Sequence, residues 1–484
     1  MDMKVFKNIL VKISVCLLLT AFSSGAALAA NALPQQARAA FDQKVVARVN
    51  AERAIAHVRV LSEEIGTRLT GLTNEYLAGE YIAGVFEDLG YDVEFHDFAL
   101  TGGSANVNVG YITFPDDTLW ETGAAAGGLS ASGPVFDAGS GLADDYPEGL
   151  EPGFIALVRR GQTFASIAAN AKAAGAAGVI VYNTTFGGRG NYPSAWSPSV
   201  STDIPFLGAA WIHGMRLLAM LEAGGEVYVD LDTMRFTNRT SRNVIATKPA
   251  SNGDPNAPIV AVTAHYDSVV GSPGANDNAS GVATVLELAR VFKSYNTDME
   301  IRFIAFGAEE VGLVGSNRYV QRLTAEERAR FVGVFNADMV ATNHPNVTHL
   351  VAATPNGVQH IVTDSAAAAG ARLGDSSLLP TTFGSSDHVP FHNAGIPAAL
   401  FIWLGGNLIP SSYEIELFYH TPQDTILENM SAERFKSALT IIGAAVFDIT
   451  RKQVPALFKS AIRTVDLDSA AESEALLPEV EELQ

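Results

Sequence analysis

From Asn243 onward the chain alternates between short, uninterrupted apolar runs and longer stretches whose apolar residues recur at helical spacing. The runs Ile259 to Ala264, Glu300 to Phe306 and Val332 to Asn336 predict strands. The intervening Ala279 to Lys293 and Leu313 to Leu323 predict helices, and Ala432 to Arg451 predicts a closing helix. Strands that lack polar alternation are buried on both faces. The pattern therefore predicts an α/β domain built on a mostly parallel mixed sheet sandwiched by helices. Upstream, Gln36 to Gly66 and Asn74 to Leu89 read as helices, the second stopped by Gly90, and Tyr91 to Leu100 reads as a strand.

Between Leu119 and Asp232 the character changes to short β-like runs rich in Gly, Pro and Ser, with one Ala-rich helix at Ala165 to Ala174. This reads as a β-rich insertion. The expected order is a leader (1–29), a first part of the α/β domain (30–118), the insertion (119–232), the rest of the α/β domain (233–455) and an acidic tail (456–484).

The leader changes the picture of where the protein works. Lys4, Lys7 and Lys12 precede the apolar run Ile13 to Phe22, and Ala27-Leu28-Ala29 offers small residues for cleavage. The run is shorter than the roughly 20 residues that a membrane span needs. It reads as a signal peptide cut near Ala29, so the expected destination is periplasmic or secreted, with no integral membrane segment in the mature form. The single cysteine, Cys16, lies inside that leader, leaving the rest of the chain without a thiol. Of five Asn-x-Ser/Thr sequons, Asn278 adjoins a candidate site residue, where a glycan would obstruct. A bacterial, unglycosylated protein is the simpler reading.

At 484 residues, 48% hydrophobic and 17% charged, the chain has the composition of folded protein, and its length suggests more than one core. Its net charge of −20 disfavours nucleic acid and anionic membranes as partners.

Candidate chemistry gathers where predicted strands give way to loops. His265 and Asp267 end the run "IVAVTAH" in the pattern His-Tyr-Asp, which puts both side chains on one face of an extended segment, so that one can ligate a metal and the other orient it. Asp277 lies in "GANDNASG", a turn leading into a helix. Its carboxylate can bridge two ions, while helix capping falls to a neighbour. Glu309 and Glu310 follow the strand "EIRFIAF". Adjacent acids diverge, which suits Glu310 as a ligand and Glu309 as a general base. Asp338 ends "VGVFNAD", and His420 stands in "LFYHTPQDT". Each of these has a bland reading alone: a buried histidine, a helix cap, two exposed acids. Together, His265, Asp277, Glu310, Asp338 and His420 supply two imidazoles and three carboxylates, enough for two zinc ions sharing one carboxylate. The pattern points to a two-zinc hydrolase.

In order and spacing, "AHYDS", "GANDNASG", "FGAEEVGLVGS", "FNADM", "SSDHVPFHNAGIPA" and "YHTPQDT" resemble the M28 family of two-zinc aminopeptidases and carboxypeptidases, over residues 45–115 and 233–452. The resemblance implies the zinc-dependent exopeptidase fold. It implies His265, Asp277 and Asp338 as ligands of one zinc, and Asp277, Glu310 and His420 as ligands of the other. Glu309 would be the general base, Asp267 the partner of His265, and the Asp277–Asn278 peptide bond would be cis. Tyr419 matches a tyrosine that helps hold the oxyanion in some members, with an ordinary packed aromatic as the alternative. The segment Gly153 to Asn183 is similar to the protease-associated (PA) domain, without the cysteine that relatives often carry near Gln162.

Members that trim C-terminal glutamate grip it with arginines after the Gly-Ile pair, and here Pro397 to Trp403 contains none. The expectation is an aminopeptidase acting on peptides with hydrophobic or uncharged N-terminal residues. A carboxypeptidase or dipeptidase, a glutaminyl cyclase and a non-catalytic binding protein are the alternatives. Asp387 and His388 in "GSSDHVPF" are expected to fix their loop.

Overall fold

The computed structural model describes residues 42–184, 194–406, 408 and 413–451. The leader, the acidic tail and the first residues of the expected Gln36 to Gly66 helix lie outside them. Within that last segment the chain turns between two helical stretches. Asn50 accepts a hydrogen bond from the Arg53 backbone N–H at 2.8 Å and so starts a fresh helix over Ala51–Arg59, which widens into a π-helical turn over Val60–Ile65.

The α/β domain is organised on a nine-stranded mixed sheet. Its order is Asp92–Ala99, Thr240–Lys248, Glu300–Phe306, Ile259–His265, Phe331–Ala337, Ala398–Gly406, Val347–Thr354 and Leu379–Thr382, and the short strand Tyr413–Glu414 pairs with Ala398–Gly406. The central strands run parallel, Ile259–His265 between Glu300–Phe306 and Phe331–Ala337. The pairs involving Asp92–Ala99 and Thr240–Lys248 are antiparallel, as is Val347–Thr354 against Ala398–Gly406.

Helices cover both faces, which is why the central strands need no polar alternation. On one face the helix Gly281–Phe292 is buried except at Arg290, because Ala51–Arg59 and Ala432–Thr450 pack over it. Gly443 allows that approach: a Cβ there would lie 2.9 Å from Leu288 Cδ2 and 3.0 Å from Val45 Cγ1. On the other face Phe306, Tyr319, Phe331 and Phe391 form a buried aromatic cluster under the helices Val314–Arg322 and His388–Asn393. Each such side chain contributes roughly 1.5–3 kcal/mol of burial.

The insertion is a closed barrel of seven strands: Val107–Thr113, Leu119–Ala124, Phe206–Ala209, Gly178–Tyr182, Ile155–Arg159, Ser130–Asp137 and Tyr228–Phe236. It reaches further along the chain than the expected limits of 119 and 232. Val107–Thr113 pairs with Tyr228–Phe236 along its whole length, and this long-range pairing assigns both strands to the barrel. Ile112, Leu157, Ile180, Leu207 and Leu231 fill the interior. Among the described residues no helix is long and apolar enough to cross a membrane.

Candidate metal centre

Parallel neighbours end side by side, so the three central strands deliver their following residues to one place. His265 is the last residue of its strand and pairs with Phe306. Glu309 and Glu310 follow Phe306 after a short turn, and Asp338 follows Ala337 directly. Asp277 comes from the turn before Gly281–Phe292, and its peptide bond to Asn278 is cis. The turn is capped by that neighbour: Asn278 Oδ1 accepts the Gly281 N–H at 2.9 Å.

The two oxygens of Asp277 face different imidazoles. Oδ1 lies 3.3 Å from His265 Nε2 and Oδ2 lies 3.1 Å from His420 Nε2. His265 Nε2 is also 3.5 Å from Asp338 Oδ1, and His420 Nε2 is 3.2 Å from Glu310 Oε2. Two triads share Asp277, His265 with Asp277 and Asp338, and His420 with Asp277 and Glu310, and a third group of ligating side chains, His265 with Glu309 and Glu310, overlaps both. Zinc bonds of about 2.0–2.2 Å at tetrahedral angles separate ligand atoms by roughly 3.3 Å, so both triads have the spacing that zinc requires. Glu310 Oε1 and Asp338 Oδ1 are buried and accept no hydrogen bond, which would be costly unless a cation served them.

The electrostatics agree. Burial pushes the Glu309 and Glu310 carboxyls above the usual carboxylate range, with neighbouring acids adding to the shift. For Asp277 burial works the same way, yet hydrogen bonds from His265 and His420 outweigh it and hold the carboxyl below its ordinary range. Such a packed group of acids is satisfied by divalent charge placed among them.

The surrounding backbone is tightly specified. Among the described residues, four of the seven non-glycine residues with positive φ border the site: Ala308, Leu313, Met339 and His420. Left-handed backbone costs energy at a residue with a Cβ and persists where its surroundings impose it. Asp267 is part of that imposition. Its Oδ1 accepts the Glu309 N–H at 3.0 Å, its Oδ2 accepts the Glu310 N–H at 3.3 Å, and Thr70 donates to Oδ2 at 2.7 Å. The expected carboxylate–imidazole pair is present and shared with the backbone: His265 Nδ1 is 3.5 Å from Asp267 Oδ1 and 3.2 Å from the Asp267 backbone carbonyl.

Several supporting residues carry no local signal in the sequence. Arg68 is fully buried and donates to the carbonyls of Tyr266, Leu61, Gly66, Pro273 and Gly274, bracing the turn that presents Asp277. Glu75 accepts the Gly71 and Ala308 N–H groups and the Ser241 hydroxyl. Ser386 donates to Asp338 Oδ2 at 2.8 Å and accepts from Asn336. Asp387 is buried beside it, and His388 Nε2 lies 2.8 Å from the Phe383 carbonyl.

The triads open onto a cavity of about 310 Å³ that Glu309 and Tyr419 also line. Its remaining wall is uncharged and mostly apolar, with Leu313, Met339, Phe383, Ile402 and Ile415 beside Gly312 and Ser385. The Tyr419 and His420 rings stack with centroids 3.6 Å apart.

Comparison with known proteins agrees with this geometry. Residues 243–446 match the model of peptidase family M28, and residues 131–217 match the PA domain. The chain is 39% identical to Aminopeptidase YwaD of Bacillus subtilis (strain 168), over 83% of this chain and 86% of that protein. It is 31% identical to a probable leucine aminopeptidase 2 of Aspergillus fumigatus, over 64% of this chain and 65% of that one. The crystal structure of a zinc aminopeptidase from Bacillus subtilis superposes with a TM-score of 0.60 at 37% identity, covering 84% of this chain and 96% of that one. The chain therefore belongs to peptidase family M28, as a zinc metallo-aminopeptidase with a PA domain carried within it.

Proposed function

We propose that the protein is an exported two-zinc aminopeptidase that releases uncharged, apolar N-terminal residues from peptides. The reading is carried by the two faces of one cavity. Asp277 offers an oxygen to each of two ligand triads on one side, and uncharged Leu313, Met339, Phe383, Ile402 and Ile415 stand on the other. His265, Asp277 and Asp338 would hold one zinc, and Asp277, Glu310 and His420 the second. Zinc bound there supplies a polarised water and a Lewis acid for the scissile carbonyl.

The chain's own groups do the rest. Glu309, which lines the cavity beside both triads, takes the proton from the attacking water and returns it to the leaving amine. Burial raises its carboxyl and so improves it as a proton carrier. The Tyr419 hydroxyl donates to the developing oxyanion of the substrate. Asp267 keeps Glu309 and Glu310 in position through their amides and keeps the His265 ring turned by its carbonyl. The apolar wall takes the N-terminal side chain, and its lack of cationic groups disfavours acidic ones. Export rests on the lysine-flanked apolar leader ending near Ala29.

The test is release of nitroaniline from leucine p-nitroanilide and of leucine from an N-acetylated dipeptide ending in leucine. Each is assayed untreated, after chelation, and after zinc is restored. The proposal expects zinc-dependent cleavage of the first alone. Cleavage of the blocked dipeptide alone would replace it with a carboxypeptidase.

A further inference from the structure

Behind the bridging carboxylate lies a second polar cluster, fully enclosed, in which no member is a candidate ligand. Asp424, Glu416, Asn276 and Asn429 are each at most 1% exposed. Asp424 Oδ1 accepts the Asn276 backbone N–H and Oδ2 accepts the Asp277 backbone N–H, both at 2.9 Å, while the Asp424 carbonyl accepts the Ala275 N–H at 3.0 Å. Three consecutive amides of the turn that carries Asp277 thus end on one residue.

That residue belongs to the loop that carries His420, four positions further on. Asn429 donates to Asp424 Oδ1 at 2.8 Å and to Glu416 Oε1 at 2.6 Å, so the loop is braced from both sides of His420. The Asn276 side chain completes the connection, donating to Glu416 Oε2 at 2.5 Å and accepting the Ala341 N–H at 2.8 Å, just beyond Asp338. Segments bearing Asp277, His420 and Asp338 are joined through buried hydrogen bonds.

We propose that Asp424 is a positioning residue for the metal centre. Its carboxylate fixes the direction of the Asp277 carboxylate and the span between Asp277 and His420, and thereby sets how tightly the shared zinc pair is held. The inference rests on Asp277 being the shared ligand. A carboxylate is suited to the task because both of its oxygens accept, whereas an amide of the same shape turns an N–H against one of the two backbone donors. Partners of this kind around zinc ligands are worth about 10–100-fold in metal affinity.

The experiment compares wild type with Asp424→Asn, each loaded with zinc, following ion loss into an excess of a chromogenic chelator and the melting temperature of loaded and stripped protein. The expected result is zinc loss about 10–100-fold faster in Asp424→Asn and a smaller gain in melting temperature on loading. Loss at the wild-type rate, with loaded and stripped forms destabilised equally, would make Asp424 merely structural and overturn the proposal. If the variant does not fold, hydrogen exchange in zinc-free wild type decides. Protected amides at Asn276 and Asp277 support a clamp that exists without metal, and exchange at the rate of an open loop overturns it. A wild-type chain that takes up no zinc would instead remove the metal-centre reading beneath it.

Discussion

The Asp267 carboxylate grips the backbone of Glu309, whose N–H donates to Oδ1 at 3.0 Å, and the next amide, that of Glu310, falls on the other oxygen at 3.3 Å. A residue placed near His265 in sequence thus also holds the proposed general base and a proposed ligand, both in the turn after the adjacent strand. Asp267→Ala leaves both amides and the Thr70 hydroxyl without an acceptor in a buried site. The expected outcome is a loss of zinc affinity of about 10–100-fold together with a fall in kcat. Zinc titration by calorimetry beside steady-state kinetics checks it, and a fall in kcat with unchanged affinity would confine Asp267 to the base.

Glu309→Gln keeps the shape and removes the proton carrier. Hydrolysis is expected to fall by about 10²–10⁴ while zinc content stays at the wild-type value. Elemental analysis of the purified variant next to its kinetics separates this from loss of metal.

Under the proposed function, the uncharged wall of the cavity sets the side-chain preference. Phe383→Ala removes a ring that lines the cavity and packs on Tyr413 at 5.6 Å between centroids. For leucine substrates kcat/KM is expected to drop roughly 10-fold, on the scale of one or two buried methylenes, with a smaller drop for tryptophan or phenylalanine substrates. A uniform drop across substrates would show that the loop, rather than the pocket, had been damaged.

The barrel carries an acid-sensitive group far from the zinc ligands. His213 is buried against Trp120, its ring stacked at 4.5 Å and 6°, and burial, with help from Arg216, pushes its pKa down to about 3. The unfolded chain protonates this histidine near pH 6.5. Between those values the unfolded state binds more protons, so the stabilising contribution is present above about pH 6.5 and is lost as the pH falls. His213→Phe retains a stacked ring and cannot titrate. Relative to wild type it is expected to gain about 2–3 kcal/mol between pH 7.5 and pH 4.5, read from denaturant midpoints of the barrel's unfolding. Equal pH profiles would rule out His213 as the sensitive group.

His265, Glu310 and Asp338 were legible as candidate ligands because each ends or closely follows a strand whose apolar run is unmistakable, and parallel strands bring such ends together, whereas Asp277 and His420 stand in turns and were marked by residue type and local motif alone. The supports were not. Arg68 acts through donors aimed at carbonyls, three of them some 200 positions away, and nothing around it in sequence marks it as buried. Asp424 sits inside "YHTPQDT", yet its partners are the amides of Asn276 and Asp277, and hydrogen bonds to backbone leave no trace in side-chain patterning. The barrel's edges escaped for a related reason. "VNVGYIT" reads as a strand on its own, but only pairing with Tyr228–Phe236 decides which sheet it joins. Spacing paired Asp267 with His265, and what it could not tell is that the Asp267 backbone carbonyl, at 3.2 Å, shares the His265 Nδ1 with the carboxylate at 3.5 Å.

The route into and out of the barrel has a consequence of its own. The chain leaves the central sheet at Ala99 and re-enters it at Thr240, residues that are paired partners, and the Leu100 N–H still bonds the Arg239 carbonyl beyond them at 2.9 Å. The barrel is therefore grafted at the tip of a β-hairpin, its two stems already side by side. To the catalytic sheet, some 140 residues amount to an oversized turn, and a short loop would close the same hairpin. The site could have been built first on a bare hairpin and the module added later, or shed, without a single ligand-bearing strand changing register.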